Sequence, residues 1–210
     1  MRPQDAAVRA AALLLGIALL LSLAIQLALD REWYHAHLEK HGSHSRFASR
    51  EEADAAADAV LDYLAGERES LPPPFTPEEQ SHLWDVRLLL ARASLARGVL
   101  AVIALLILSA AMISGSPAST LFSALTWTGI ASLALCGALA LGGLTFSTFF
   151  TLFHLVFFPQ GNWQFSPESV LIRLFPQGFF FDVFLALLAR MTLLGALMLS
   201  PQLLQRFKKS

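Results

Sequence analysis

Four long apolar stretches, separated by polar or aromatic segments, dominate the pattern of this chain. They cover about 8–29, 91–113, 119–145 and 179–199. A helix of about 20 residues crosses a hydrocarbon core of about 30 Å, because each residue adds about 1.5 Å. Each stretch therefore has the length of a membrane span. The pattern predicts an all-α membrane protein, a single membrane domain over 1–210 with four transmembrane helices.

The first stretch has a second interpretation, a cleaved signal peptide. The apolar core of a signal peptide usually has about 7–15 residues, and this stretch is longer. No convincing cleavage site of small residues follows it. We therefore expect an uncleaved first span.

The composition supports a membrane protein and excludes some partners. Of the 210 residues, 55% are hydrophobic and 15% are charged, whereas a soluble domain carries about 25% charged residues. The 15 basic and 16 acidic residues nearly balance, which argues against nucleic acid as a partner, since that needs a basic excess. A lone cysteine, Cys136, excludes an intrachain disulfide and a Cys-rich zinc site.

The basic residues near the span ends predict the orientation in the membrane. Arg2 and Arg9 flank the first span, and three basic residues follow the fourth. Because cytoplasmic ends carry an excess of Lys and Arg, both termini are expected to be cytoplasmic. A loop over 30–90 and a segment over 146–178 then face outward. The loop itself has six basic residues, but a loop of about 60 residues can cross largely regardless of charge.

The outward loop is expected to be largely helical. Residues 50–65 form an Ala-rich stretch with an acidic face. Further on, Thr76, Pro77 and Glu79 have the spacing of a capping box with proline at the first helical position. In the helix that follows, His82 shares a face with Glu79 and Asp85, because residues three apart are neighbours on a helix.

The second outward segment is unusually aromatic. Between Phe146 and Phe184 lie 12 of the 16 phenylalanines, together with Trp163. A free extracellular loop would not expose so much apolar surface. Prolines and a glycine make part of the segment non-helical, and such backbone is tolerated at membrane depth only next to protein or a water-filled cavity. We expect an interfacial, partly re-entrant segment.

Two histidines are the candidates for chemistry. The sequence contains no GxSxG, HExxH, P-loop or GxGxxG motif. His82 precedes the second span and His154 lies near the outer end of the third, so the topology places both at the outer face. An imidazole in the Phe-rich run around His154 is costly unless it is hydrogen-bonded or functional. A satisfied structural histidine is an equal alternative at this point.

Four further histidines lie just after the first span. His37 and His41 have the i, i+4 spacing that can bind a divalent metal. The run is polar and has no flanking cysteine, so incidental surface histidines are the favoured interpretation, with no metal and no other cofactor expected. The other two are His35 and His44.

Three sequence blocks carry a family resemblance. The first is Glu79–Val86, the second is the run Phe153–Phe165 with its Phe-His-Leu-Val-Phe-Phe-Pro-Gln-Gly-Asn-Trp core, and the third is Leu171–Pro176 followed by Phe179 and Phe180. In their order around four spans, these blocks resemble the lipoprotein intramolecular transacylases (Lit), a family of bacterial integral membrane proteins. The resemblance covers most of the chain.

The resemblance implies a reaction and a pair of essential residues. Members move the sn-2 acyl chain of a diacylglyceryl-cysteine lipoprotein to the α-amino group of the same cysteine, giving the lyso-form. The family's two essential histidines match His82 and His154. A neutral imidazole can take a proton from the attacking amine, so no enzyme nucleophile is needed. We assign His154 as base and His82 as hydrogen-bond donor or acid, with the reverse left open.

Supporting residues are expected around this pair. Asp85 or Glu79 would orient the imidazole of His82, as the carboxylate of a catalytic triad orients its histidine. The alternative is that these carboxylates are plain surface charges. Arg190 lies about halfway along the fourth span, where it would bind the ester carbonyl or fill a structural role. Trp163 is a further candidate. The expected partners are the diacylated lipoprotein and membrane lipid, and the expected state is a monomer in the cell membrane. A non-enzymatic scaffold and a metal-dependent membrane hydrolase are the competing functions.

Overall fold

A computed structural model describes the backbone of residues 3–207 and the side chains of residues 5–199. This part of the chain is helical and contains no strand. Arg2, Lys208 and Lys209, which contribute to the predicted orientation, lie outside the described residues. Eight α-helices and one short 3₁₀ turn, at Ser43–Arg46, follow one another along the chain. The helices are α1 Pro3–Ala28, α2 Arg31–Lys40, α3 Arg50–Ala65, α4 Pro77–Ile113, α5 Ala118–Gly143, α6 Phe146–Phe157, α7 Val170–Leu174 and α8 Gln177–Phe207.

Four of these helices, α1, α4, α5 and α8, are long and apolar enough to cross a membrane. The prediction of an all-α membrane protein with four transmembrane helices is therefore confirmed. Helix α4 has 37 residues and a length of roughly 55 Å at about 1.5 Å per residue. It is longer than a hydrocarbon core of about 30 Å requires. Helix α6, with 12 residues, is too short to span.

One compact unit consists of residues 1–24, 93–141 and 187–210, within the limits of the described chain. Its buried contacts are made by small side chains such as Ala12, Ala111 and Ala124. The backbones of α5 and α8 approach closely, since a Cβ on Gly129 would lie 2.8 Å from the carbonyl oxygen of Gly195. Lipid-embedded helices commonly pack in this way, because small residues let backbones meet.

The second unit consists of residues 25–92 and 142–186. Local signals set its helix ends: the Ser49 hydroxyl accepts a hydrogen bond from the backbone of Glu52, and Gly66 closes α3 at φ +85°. Its core joins α2, α3 and α7 to the first turns of α4 and α8. The largest fully buried side chains of this core are Leu38, Val60, Leu174 and Phe179.

Candidate active site

The first turn of α4 is fixed by the capping box expected from the sequence. The backbone N–H of Thr76 donates to Oε2 of Glu79 at 2.8 Å, and the backbone N–H of Glu79 donates to Oγ1 of Thr76 at 3.3 Å. Pro77 is the first helical residue. The predicted capping box is thus confirmed, and it places His82 in the second turn of the helix.

Glu79 is fully buried, with 0% of its surface exposed. Its second oxygen, Oε1, accepts a hydrogen bond from the backbone N–H of Leu171 at 2.9 Å. Both carboxylate oxygens are therefore bound to backbone amides, which offsets the cost of burying the group. The surface-charge interpretation of Glu79 is wrong, because the side chain joins the start of α4 to the first turn of α7.

His154 lies in the last turn of α6 and is buried, whereas its helix neighbours Leu155 and Val156 are exposed. Its Nδ1 donates a hydrogen bond to the carbonyl oxygen of Phe150 at 2.8 Å. A carbonyl oxygen can only accept, so Nδ1 carries the proton and Nε2 of the neutral ring keeps a free lone pair. Burial lowers the pKa of His154, and the hydrogen bond to Phe150 opposes this only in part.

The structure brings His82 and His154 together. Their ring centroids are 6.0 Å apart and their planes differ by 28°. The rings of Phe158 and Phe165 lie 4.9 and 5.6 Å from that of His82. Both imidazoles therefore lie in an aromatic and mostly apolar setting, where a neutral ring is favoured over a charged one.

Trp163 packs directly on the histidine pair. Its ring centroid lies 4.7 Å from that of His154, with 34° between the planes. Two buried polar atoms here, Nε1 of Trp163 and Nδ1 of His82, have no hydrogen-bond partner in the described part of the chain. Buried polar atoms are nearly always satisfied, so two unpaired ones beside the histidine pair call for an explanation, and a catalytic role is one.

Asp85 has partners that the sequence did not indicate. Its Oδ2 accepts hydrogen bonds from the side-chain amides of Gln160 at 2.6 Å and Asn162 at 2.7 Å. Asn162 also donates to Oγ of Ser81 at 3.2 Å. These bonds differ from the triad-type bond to His82 that we expected. In the sequence, Gln160 and Asn162 are marked by their polarity within an aromatic segment and by their place in the Phe153–Phe165 block that carries the family resemblance.

Arg190 and the pair belong to different units. Arg190 lies in the first unit on α8, where its side chain is partly buried. His82 and His154 lie in the second unit together with Glu79, Asp85 and Trp163.

The four histidines after the first span are not incidental surface residues. His35 bonds Asp54 at 3.0 Å through Nδ1 and Asp58 at 2.9 Å through Nε2. Carboxylates accept, so both ring nitrogens of His35 must be protonated. Burial lowers the pKa of His35, but the bonds to Asp58 and Asp54 outweigh burial and raise it overall.

The remaining three are also bonded. His44 bonds Asp54 at 2.8 Å, His41 bonds Asp182 at 2.6 Å, and His37 donates to the carbonyl oxygen of Trp33 at 2.8 Å. The bonds from His35, His44 and His41 to carboxylates hold α2 and the 3₁₀ turn against α3 and α8, whereas the His37 bond lies within α2. No group of three or more His, Cys, Asp or Glu side chains in the described chain is arranged to hold a metal ion.

The fold is that of an integral membrane transacylase. The model of the Lit family, described as lipoprotein intramolecular transacylase Lit, matches residues 10–180. The chain therefore belongs to the Lit family and is an acyltransferase. A search of curated proteins finds no match. The non-enzymatic scaffold and the metal-dependent hydrolase are not favoured by this membership.

Solved structures show the same fold. The chain is similar to the membrane-integral lipoprotein intramolecular transacylase Lit of Bacillus cereus, with a TM-score of 0.85 and 17% identity over 99% of this chain and 98% of that one. Two forms of that protein with one histidine replaced, by arginine or by alanine, match with TM-scores of 0.79 and 0.77, again at 17% identity. They cover 98% and 99% of this chain and 93% and 96% of theirs.

Proposed function

We propose that this chain moves the sn-2 acyl chain of a diacylglyceryl-cysteine lipoprotein to the α-amino group of the same cysteine, with His154 as the general base. One observation carries the assignment of the base. The hydrogen bond from Nδ1 of His154 to Phe150 fixes the neutral tautomer whose Nε2 accepts a proton. A base also has to be neutral to act, and the apolar surroundings favour the neutral ring.

The reaction is an isomerisation in which no atom is lost. The α-amino nitrogen attacks the ester carbonyl carbon, a C–N bond forms, and the bond from that carbon to the glycerol oxygen breaks. The amine gives a proton to Nε2 of His154, and the glycerol alkoxide takes up a proton as it leaves. The protonated His154 can supply that proton, as the histidine of a triad does. The substrate provides its own nucleophile, which fits the lack of a catalytic Ser or Cys signal.

His82 is proposed to stabilise the negative charge that develops on the carbonyl oxygen. Its ring lies next to that of His154, and its buried Nδ1 has no partner within the described chain. A fixed donor aimed at a developing oxyanion typically contributes about 10²–10³ in kcat. Trp163 supports the pair by covering one side of His154.

The active site is proposed to face outward, with both termini cytoplasmic and the chain acting as a monomer. The exposed side chains of Leu152, Leu155 and Val156 on α6 fit contact with membrane lipid, which also holds the acyl chains of the substrate. Both histidines come from one chain, so a second copy is not needed to complete the pair.

Tandem mass spectrometry of a lipoprotein's N-terminal peptide tests the proposal. The reaction leaves the mass unchanged, so fragment ions must locate the acyl chain on the amino group or on glycerol. We expect the N-acyl form to appear only when this protein is expressed in a host without such activity. Peptides that stay O-diacylated would contradict the proposed function.

A further inference from the structure

A hydrogen-bonded clasp joins the loop after α6 to the second and third turns of α4. We define the clasp as Ser81, Asp85, Gln160 and Asn162. Asp85 accepts from Gln160 at 2.6 Å and from Asn162 at 2.7 Å, and Gln160 also donates to Oδ1 of Asn162 at 3.2 Å. Asn162 donates to Ser81 at 3.2 Å. Hydrogen bonds to a carboxylate are stronger than those between neutral groups, so the bonds that Asp85 accepts are the strongest in the clasp.

The clasp residues lie next to both histidines, on α4 beside His82 and on the loop beside Trp163, which packs on His154. On α4, Ser81 directly precedes His82 and Asp85 lies one turn beyond it. On the loop, Asn162 directly precedes Trp163, whose ring packs 4.7 Å from that of His154. A displacement of Asn162 would therefore be transmitted to the ring that covers His154.

The loop backbone is shaped to make these bonds. Gly161 lies between the two amide residues and has φ +80°, a conformation that residues with a Cβ adopt only with strain. This turn lets Gln160 and Asn162 both donate to the same oxygen of Asp85. Neither side-chain amide is buried. Burial therefore does not explain why both amides bond to Asp85.

We propose that Asn162 is a positioning residue, which through its bond to Asp85 fixes the separation of the His82 and His154 rings. The inference rests on the proposed function, in which the two histidines act together on one substrate. It also gives Asp85 a role other than a triad acid, because its carboxylate holds the loop rather than the imidazole. Small displacements of reacting groups can cost about 10²-fold in rate, so the clasp matters for kcat.

Exchanging the carboxylate of Asp85 and the amide of Asn162 between the two positions tests the clasp. Asn162→Ala removes the donor and is expected to lower kcat about 10-fold to 100-fold with little change in KM. Asn162→Asp places a second carboxylate against Asp85, so it should be at least as harmful at neutral pH. The double variant Asp85→Asn with Asn162→Asp restores one carboxylate facing one amide. It should recover kcat to within several-fold of the wild type.

The pH dependence of Asn162→Asp distinguishes positioning from a general loss of structure. Position 162 faces the carboxylate of Asp85 and also the imidazole of His82. Two facing carboxylates bond again when they share a proton, so the ratio of this variant's rate to the wild-type rate should rise as the pH falls. The exposed neighbour Gln164 serves as control, and Gln164→Ala should keep the wild-type kcat. Thermal unfolding in detergent reports the folded fraction, to which every rate is normalised.

The outcomes separate this inference from the proposed function. A wild-type kcat in Asn162→Ala, or no recovery in the folded double variant, would overturn the positioning role. His154→Ala is assayed in parallel. If this variant is inactive, the proposed role of His154 as the base stands, regardless of the rates of the Asn162 variants. If His154→Ala were active, the proposed role of His154 as the base would fail. If Asn162→Ala does not fold, recovery by the double variant decides the question.

Discussion

The carboxylate of Glu79 accepts a hydrogen bond from the backbone N–H of Leu171, with 2.9 Å between Oε1 and the nitrogen. The same side chain closes the capping box with Thr76 through its other oxygen. One buried carboxylate thus satisfies two helix N-termini, those of α4 and α7, each of which begins with unpaired amide protons. These bonds hold the segment after Trp163 against the helix that carries His82.

Replacing Glu79 should destabilise the fold more than it damages the chemistry. Glu79→Gln keeps one acceptor but turns an NH₂ group toward a backbone N–H, at a cost of about 1–3 kcal/mol. Glu79→Ala loses both bonds and should cost more. Thermal unfolding in detergent measures the loss. The exposed neighbour Glu78 gives the control, since Glu78→Gln should change stability by less than about 0.5 kcal/mol.

A different result would revive the triad interpretation of Glu79. If Glu79→Gln kept its melting temperature and lost kcat, the carboxylate would act on His82 rather than on the backbone.

The histidine pair should be needed for turnover but not for folding. Loss of an acid–base group typically costs about 10²–10⁴-fold in rate, and loss of an oxyanion donor costs about 10²–10³-fold. His154→Ala and His82→Ala should therefore each leave at most a trace of N-acyl product. The measurement is the tandem mass spectrum of the lipopeptide, normalised to folded protein. A near-normal rate in either variant would remove that histidine from the mechanism.

The sequence predicts the helices and the apolar surroundings of the site, but it does not predict the hydrogen bonds within the site. Four apolar stretches of membrane length predicted the fold class, and the capping spacing of Thr76 and Glu79 predicted the start of α4. The Phe-rich run predicted an apolar setting for His154. Each of these follows from local periodicity or composition, which a sequence displays directly.

The missed contacts are all between distant residues. Nothing local links Asp85 to Asn162 or Glu79 to Leu171, because such bonds depend on how a loop without regular structure packs. The same holds for His35 and its partners Asp54 and Asp58, which lie on another helix. A polar residue in an apolar segment signals that a partner exists, but does not say which one.

The close approach of α5 and α8 should not tolerate a larger side chain. A Cβ on Gly129 would meet the carbonyl oxygen of Gly195 at 2.8 Å, so Gly129→Val must push the helices apart and cost about 1–3 kcal/mol. Gly137 lies on the same helix and gives the matched control, because a Cβ added there would meet nothing within 4 Å. Thermal unfolding of Gly129→Val and Gly137→Val should differ, and equal melting temperatures would contradict this packing.

Thiol labelling should reveal the orientation. With Cys136 replaced, a cysteine at the exposed Ala48 should react with a membrane-impermeant reagent in intact cells. A cysteine at the exposed Ser114, between α4 and α5, should react only after the cells are opened. The proposal places the first site outside and the second in the cytoplasm. The opposite labelling pattern would reverse the topology and place the histidine pair at the inner face.

The rate should rise from acid toward mildly alkaline pH. Burial lowers the pKa of His154, so the neutral, proton-accepting ring persists down to a pH below its ordinary value of about 6.5. The acid limb from this group should therefore lie below about pH 6.5. The attacking amine adds a second limb, because its neutral fraction grows up to about pH 8. Initial rates in liposomes from about pH 5 to about pH 9 cover both limbs.

Titration of His35, which lies outside the site, cannot produce this rise. The pKa of His35 is raised, with burial opposing and the bonds to Asp58 and Asp54 prevailing. Its stabilising contribution is complete below about pH 6.5 and is lost as the pH climbs through the raised pKa. Any unfolding caused by deprotonation of His35 would therefore lower the rate on the alkaline side. A rate that is flat, or that falls over the whole range, would contradict a neutral His154 as the base.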